Sequence, residues 1–121
     1  MPRADLFGYN RMRGNIVNEF TPYFEVWSNL NKLIRTTKSH WNLITLVKHP
    51  IIKGKESLVK ECLQNPEEIR LSRDDKSVYL YYKQWGEYYL CVVVRHLNGE
   101  GYILTIYITD KIKEGEEVWR K

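Results

Sequence analysis

The sequence lacks a long hydrophobic run, and this absence limits where the protein can reside. Its longest uninterrupted apolar stretch, residues 90–94, has the length of a strand and not the roughly 20 residues of a membrane span. The opening residues, Met-Pro-Arg-Ala-Asp, have no apolar segment of the kind found in secretory signal peptides. We therefore predict a soluble cytoplasmic protein with no membrane partner.

Cysteine is also scarce, which argues against a disulfide framework or a zinc site. Only Cys62 and Cys91 are present, they form no CxxC motif, and no histidine lies at zinc-ligand spacing from either. Each has apolar neighbours, so we predict two buried, reduced thiols. Acidic residues are scattered over predicted turns and helix starts, and hence we expect no metal and no other cofactor.

The charge is modest and unevenly distributed. The 121 residues carry a net charge of +4, and residues 1–60 contain ten Lys or Arg against four Asp or Glu. A basic surface attracts polyanions such as nucleic acids, although the same excess occurs on ordinary solvated surfaces. With 43% apolar and 28% charged residues, the composition is that of a globular protein, and the length suits one domain.

The N-terminal half is predicted to hold an arm, extended segments and helices. Residues 1–20 contain three arginines and no regular apolar spacing, so we treat them as a basic N-terminal arm before a single domain at 21–121. Extended structure is predicted at residues 22–27 and 32–35. Apolar residues at helical spacing then predict two short amphipathic helices, which prolines end and which span residues 40–49 and about 55–64.

The remainder of the chain has the pattern of strands separated by short polar turns, at residues 69–72, 78–83, 88–96 and 102–109. Short loops between such strands predict an antiparallel meander. The predicted fold class is therefore α+β. Two N-terminal helices are expected to pack on one face of a four-stranded antiparallel sheet, with an N-terminal strand or arm ahead of them.

Alternation along the strands also predicts which side chains share a face of the sheet. In the last strand, the helices are expected to contact Tyr102, Leu104, Ile106 and Ile108, and the opposite face is expected to carry Ile103, Thr105, Tyr107 and Thr109. If the strands align, that opposite face also carries Arg70, Ser72, Tyr81, Lys83 and Arg95. Cations, phenols and hydroxyls suit RNA, and an ordinary solvated sheet face is the alternative.

A set of motifs between residues 38 and 119 resembles a known group of proteins. The motifs follow one another as His40-Trp41-x-x-Ile44-x-x-x-Lys48-His49-Pro50, Asn65-Pro66, Ile69-Arg70-x-Ser72, Leu80-Tyr81-Tyr82, Leu90-Cys91-Val92-Val93-Val94 and Gly101-Tyr102-Ile103-Leu104-Thr105-x-Tyr107-x-Thr109-Asp110. In this order they resemble small prokaryotic proteins placed with the barnase/EndoU/colicin/RelE-like (BECR) nucleases. Residues 1–20 lie outside the resemblance.

The resemblance implies a RelE- or barnase-like fold and a metal-independent endoribonuclease, which in this group is often the toxin of a toxin–antitoxin pair. The partners it implies are RNA and a small antitoxin protein. Such enzymes use a histidine or lysine, a basic strand residue and a late serine or threonine. The best-matched positions for catalysis are His40 or His49 for the histidine, Arg95 or Arg70 for the basic strand residue, and Thr109 for the late hydroxyl. The candidates for RNA binding are Lys48, Arg70, Ser72, Tyr81, Lys83, Thr105 and Tyr107.

These residue types fit the chemistry of metal-free RNA cleavage. The 2′-hydroxyl attacks the adjacent phosphate, and histidine, with an ordinary pKa of about 6.5, can serve as general base or general acid. Arginine and lysine can stabilise the charge on the phosphorane. A non-catalytic RNA- or protein-binding module of the same fold is the alternative function, and a homodimer is left open.

Overall fold

The computed structural model of the protein describes residues 21–121, so the predicted arm at residues 1–20 lies outside the described residues. The described chain contains one sheet of seven strands, in the spatial order β1-β2-β6-β5-β4-β3-β7. The strands are β1 Pro22–Trp27, β2 Leu33–Thr37, β3 Glu68–Leu71, β4 Val78–Trp85, β5 Tyr88–His96, β6 Glu100–Thr109 and β7 Glu116–Arg120. Neighbours are antiparallel except β2 and β6, which pair in parallel.

The predicted fold class, two helices on a four-stranded antiparallel sheet, is wrong because the sheet is larger and mixed. The segments predicted as extended at residues 22–27 and 32–35 form a hairpin, and β2 joins it to the sheet through parallel pairing with β6. The charged tail adds β7 beside β3 at the other edge. Both additions depend on pairing between distant segments, which period-two alternation does not specify.

The helical segment after β2 differs from the regular helix predicted there. It begins as α1, Lys38–Asn42, where Thr37 Oγ1 accepts a hydrogen bond from the His40 amide at 3.2 Å. It continues as a π-helix, Leu43–Lys48, and a 3₁₀ turn, Pro50–Ile52, precedes α2, Glu56–Gln64. No helix within residues 21–121 is long and apolar enough to cross a membrane.

One face of the sheet, called here the helix-covered face, holds the main core. Helical side chains pack there against alternate residues of the strands, and burying each of them stabilises the fold by about 1.5–3 kcal/mol. The fully buried members from the helices include Ile44, Ile52, Val59, Cys62 and Leu63, and those from the central strands include Tyr81, Leu90, Val92, Val94 and Ile106.

The opposite face of the sheet is called here the open face. A bulge in β6 changes which side chains of that strand point to it. Val93 pairs with Thr105 but Val94 pairs with Ile103, so one extra residue is inserted at Leu104. The bulge turns Ile103 into the core, where it is buried, and leaves Tyr102 40% exposed. The predicted faces of these two residues are therefore exchanged, whereas Thr105 and Tyr107 keep theirs.

Residues 110–115, called here the crossing segment, run across the open face from β6 to β7. They must cross because β5, β4 and β3 lie between those two strands. Ile112 packs on a small second core of Leu80, Tyr82 and Cys91. Gly115 ends the segment at a φ of +81°, a backbone conformation that glycine adopts without a Cβ clash.

Candidate nucleic-acid interface

A groove of about 490 Å³, called here the sheet groove, lies on the open face beside the crossing segment. Its apolar residues are Val78, Leu80 and Val93, which come from the central strands β4 and β5. Tyr107 of β6 also lines it. The remaining lining residues come from the turn after β3 and from the crossing segment, and they are Ser72, Arg73, Asp74, Lys113, Glu114 and Gly115.

The cations at the sheet groove are Arg73 and Lys113, which line it beside Asp74 and Glu114, and Arg70, which bonds to the lining residue Gly115. Arg70 donates through Nε to Glu68 Oε2 at 2.6 Å and through Nη1 to the carbonyl oxygen of Gly115 at 3.1 Å. Arg73 Nη2 donates to the same carbonyl at 3.1 Å. Within residues 21–121, neither Arg73 nor Lys113 forms an ion pair with a carboxylate. Their charges are therefore available to an anion that enters the groove.

Tyr107 connects the sheet groove to His49 and Glu114. Its hydroxyl donates to Glu114 Oε1 at 3.3 Å, and its ring centroid lies 6.5 Å from that of His49. Burial raises the pKa of Tyr107 far above its usual range, and the neighbouring Cys91 adds to the effect. The phenol therefore stays neutral and acts as a hydrogen-bond donor near neutral pH.

Arg95 and Thr105 border the sheet groove on the side of β5 and β6. Arg95 Nη1 donates to Asp75 Oδ2 at 3.0 Å and to Ser77 Oγ at 2.8 Å. Hydrogen bonds from Ser77 lower the pKa of Asp75, and Arg95 contributes to the same shift. Thr105 pairs across the strands with the lining residue Val93. The structure thus brings together, on one face, the predicted residues Arg70, Ser72, Arg95, Thr105 and Tyr107.

Two of the predicted RNA-binding residues lie on the helix-covered face instead. Tyr81 pairs with the core residue Val92 and is 0% exposed, and its hydroxyl donates to Ser28 Oγ at 2.9 Å. Lys83 Nζ donates to the carbonyl oxygen of Asn65 at 2.8 Å. Alternation within β4 correctly predicts that these side chains share a face, but only the register with β5 decides which face it is.

The four residues predicted to be catalytic do not meet at one point. His40 Nε2 donates to the bulge carbonyl of Leu104 at 2.9 Å, and Thr109 Oγ1 donates to the carbonyl oxygen of Lys111 at 3.2 Å. Arg95 pairs with Tyr102 near the start of β6, so roughly 20 Å of strand separates it from Thr109. Of the four, Arg95 pairs with Val78 and His49 lies near Tyr107, and both partners line the sheet groove. Lys48, predicted to bind RNA, is exposed on the π-helix.

A second groove, of about 670 Å³ and called here the edge groove, lies where β2 and β6 separate. The last paired residues of these strands are Arg35 and Tyr102. Beyond them, α1 replaces β2 at the side of β6. The groove is lined by Arg35, Thr36, Thr37, Ser39, His40, Leu43, Tyr102 and Ile103.

Sequence reasoning missed Arg73, Lys113 and Glu114 as members of the sheet groove. Arg73 lies in a turn and the other two in a charged tail, positions where charge is ordinarily solvated. The one local signal is Gly115, which marks a turn after the charged residues. Only the path of the crossing segment brings these residues to the groove.

Comparison of the chain with models of protein families, with curated proteins and with solved structures finds no match. The resemblance to the BECR nucleases therefore stays a prediction from the motifs. Within residues 21–121, no group of three or more His, Cys, Asp or Glu side chains lies close enough to hold a metal ion.

Proposed function

We propose that the sheet groove binds single-stranded RNA and that the protein cleaves it without a metal ion. The observation that carries the proposal is the convergence of Arg70, Arg73 and Lys113 with Tyr107 around one groove. Cations suit the phosphates of RNA, and a phenol suits an unstacked base.

The proposed cleavage begins with attack of the 2′-oxygen on the adjacent phosphorus. That bond forms, the bond from phosphorus to the 5′-oxygen breaks, and the products are a 2′,3′-cyclic phosphate and a 5′-hydroxyl. Glu114 would take the proton from the 2′-hydroxyl, and His49 would protonate the 5′-oxygen. Neutral Tyr107, which lies between them, would donate to a non-bridging oxygen. Arg73 and Lys113 would balance the charge of the phosphorane.

The test is to incubate the purified protein with single-stranded RNA in EDTA and to identify the ends of the fragments. We expect 2′,3′-cyclic phosphate ends. His49→Asn should slow cleavage by roughly 10²–10⁴-fold. Lys113→Gln should weaken RNA binding, whereas the exposed Lys121→Gln, with the same change of charge, should not. An intact RNA at high protein concentration would exclude cleavage, and equal effects of the two lysine variants would exclude the sheet groove as the binding site.

A non-catalytic RNA-binding module is the second candidate, and the separation of Arg95 from Thr109 along β6 favours it. It predicts that RNA binds in the sheet groove and is released unchanged. The same cleavage assay, run beside a binding measurement, distinguishes the two candidates. A small antitoxin partner, a homodimer and a cytoplasmic location remain predictions from the sequence.

A further inference from the structure

We propose that Tyr102 forms a second subsite, which stacks a base that flanks the nucleotides held in the sheet groove. The inference rests on the proposed function, because it assumes that RNA occupies that groove. It adds the class of substrate, which is a single strand long enough to reach from the sheet groove to the edge groove.

The position of Tyr102 on the open face comes from two strand registers and one bulge. Tyr102 pairs with Arg35 of β2 on one side and with Arg95 of β5 on the other. The three side chains therefore form a row across neighbouring strands, about 5 Å apart. The bulge at Leu104 keeps this row on the same face as Thr105 and Tyr107. An aromatic ring between two arginines is thus exposed beside the sheet groove.

The charges of this row favour a base rather than a phosphate. Arg35 is paired with Glu100 and with Glu25, and Arg95 is paired with Asp75. The carboxylates outnumber the guanidinium groups, so the row has no surplus positive charge to offer a phosphate. Stacking on an aromatic ring or on a guanidinium plane needs no such surplus, because every base presents a π-face.

The row also connects the sheet groove with the edge groove. Arg95 pairs with Val78, a lining residue of the sheet groove, and Tyr102 lines the edge groove. In the edge groove, the hydroxyls of Thr37 and Ser39 lie 3.4 Å apart near the start of α1. Such groups can donate to and accept from the edges of an unpaired base. A strand that leaves the sheet groove therefore meets a stacking ring first and hydrogen-bonding groups next.

The experiment compares the binding of a dinucleotide with that of a hexanucleotide, both carrying a 2′-deoxy sugar at every position so that no cleavage occurs. We expect the wild-type protein to bind the hexanucleotide more tightly. Tyr102→Ala should weaken hexanucleotide binding roughly tenfold and leave dinucleotide binding unchanged. Tyr102→Trp should restore it. Tyr88, which is 50% exposed at the far end of β5, supplies the matched control Tyr88→Ala, with no expected effect.

The outcomes separate this inference from the proposed function. If the wild-type protein binds neither oligonucleotide, and no ribose-containing RNA either, the proposed function fails and the subsite fails with it. If the protein binds both and Tyr102→Ala binds the hexanucleotide as well as wild type does, the subsite alone is refuted. An equal loss for the dinucleotide and the hexanucleotide would also refute it, because Tyr102 would then belong to the main site.

Discussion

Replacing Gly115 with alanine tests how the crossing segment rests on the sheet. Gly115 has a φ of +81°, and a Cβ at this position would lie 2.6 Å from the carbonyl oxygen of Leu71 and 3.1 Å from Leu80 Cδ1. Gly99 supplies the control, since its φ is +74° and a Cβ there meets nothing within 4 Å. Both substitutions impose the same left-handed conformation on alanine, but only Gly115→Ala adds a steric clash.

The expected magnitudes follow from these two terms. Alanine in the left-handed region costs about 1–2 kcal/mol, which both variants share. The clash at Gly115 involves a backbone oxygen that cannot rotate away, and forced repacking of this kind costs about 1–3 kcal/mol more. We therefore expect Gly115→Ala to lower the free energy of unfolding by roughly 2–5 kcal/mol and Gly99→Ala by only the first part.

Urea unfolding at equilibrium measures the difference directly, from midpoints at a common m-value. The effect of alanine on the unfolded chain is the same in both variants and cancels in the comparison. The Gly115 carbonyl also accepts from Arg70 and Arg73, so Gly115→Ala should weaken RNA binding as well. Equal losses of stability in the two variants would show that Gly115 does not lie against the Leu71 carbonyl oxygen. The described position of the crossing segment beside the sheet groove would then be wrong.

Three further predictions concern side chains on or under the sheet. Burial, with a smaller effect from a nearby lysine, lowers the pKa of His96 to about 4. The free energy of unfolding should therefore keep its full value above pH about 6.5 and fall by ~1 kcal/mol, after allowance for solvent screening, as the pH drops from there towards 4. Urea unfolding repeated across that pH range should show a smaller pH dependence in His96→Gln. Tyr81→Phe should cost about 1 kcal/mol of stability and leave RNA affinity unchanged, because its hydroxyl bonds only within the helix-covered face; a loss of affinity without a loss of stability would contradict that placement. Burial raises the pKa of Cys62 and brings that of Cys91 to about 12, so a thiol reagent should modify neither in the native protein and both after unfolding; rapid native labelling would refute their burial.

The exposed apolar residues of the π-helix show why apolar spacing did not predict the helix type correctly. Apolar spacing predicts a short amphipathic helix at residues 40–49. In the structure Trp41 and Ile44 are buried, but Leu43, Leu46 and Val47 are exposed. The hydrogen bond from the His49 amide to the Ile44 carbonyl, at 2.7 Å, spans five residues, so the turn is wider than that of an α-helix. Residues three and four apart then no longer share a face.

The sequence by itself determined the local features of this protein. Alternation from residue 69 to residue 109 predicted four strands, and they appear as β3 to β6 with shifted ends. The apolar neighbours of Cys62 and Cys91 predicted two buried free thiols, and both are buried and unpaired within the described residues. These features depend on side-chain periodicity and hydrophobicity, which act over a few residues and can be read from a single chain.

Only the tertiary structure decided the size of the sheet and the composition of the candidate site. The parallel pairing of β2 with β6 enlarges the sheet, and the bulge at Leu104 turns Tyr102 to the open face. The crossing segment then carries Lys113 and Glu114 to a groove lined by Arg73, some forty residues earlier in the chain. The first and last of these bring together segments far apart in sequence, and the bulge shifts the register within the β5–β6 hairpin. The packing of the whole domain selects these arrangements, and no local sequence pattern specifies them.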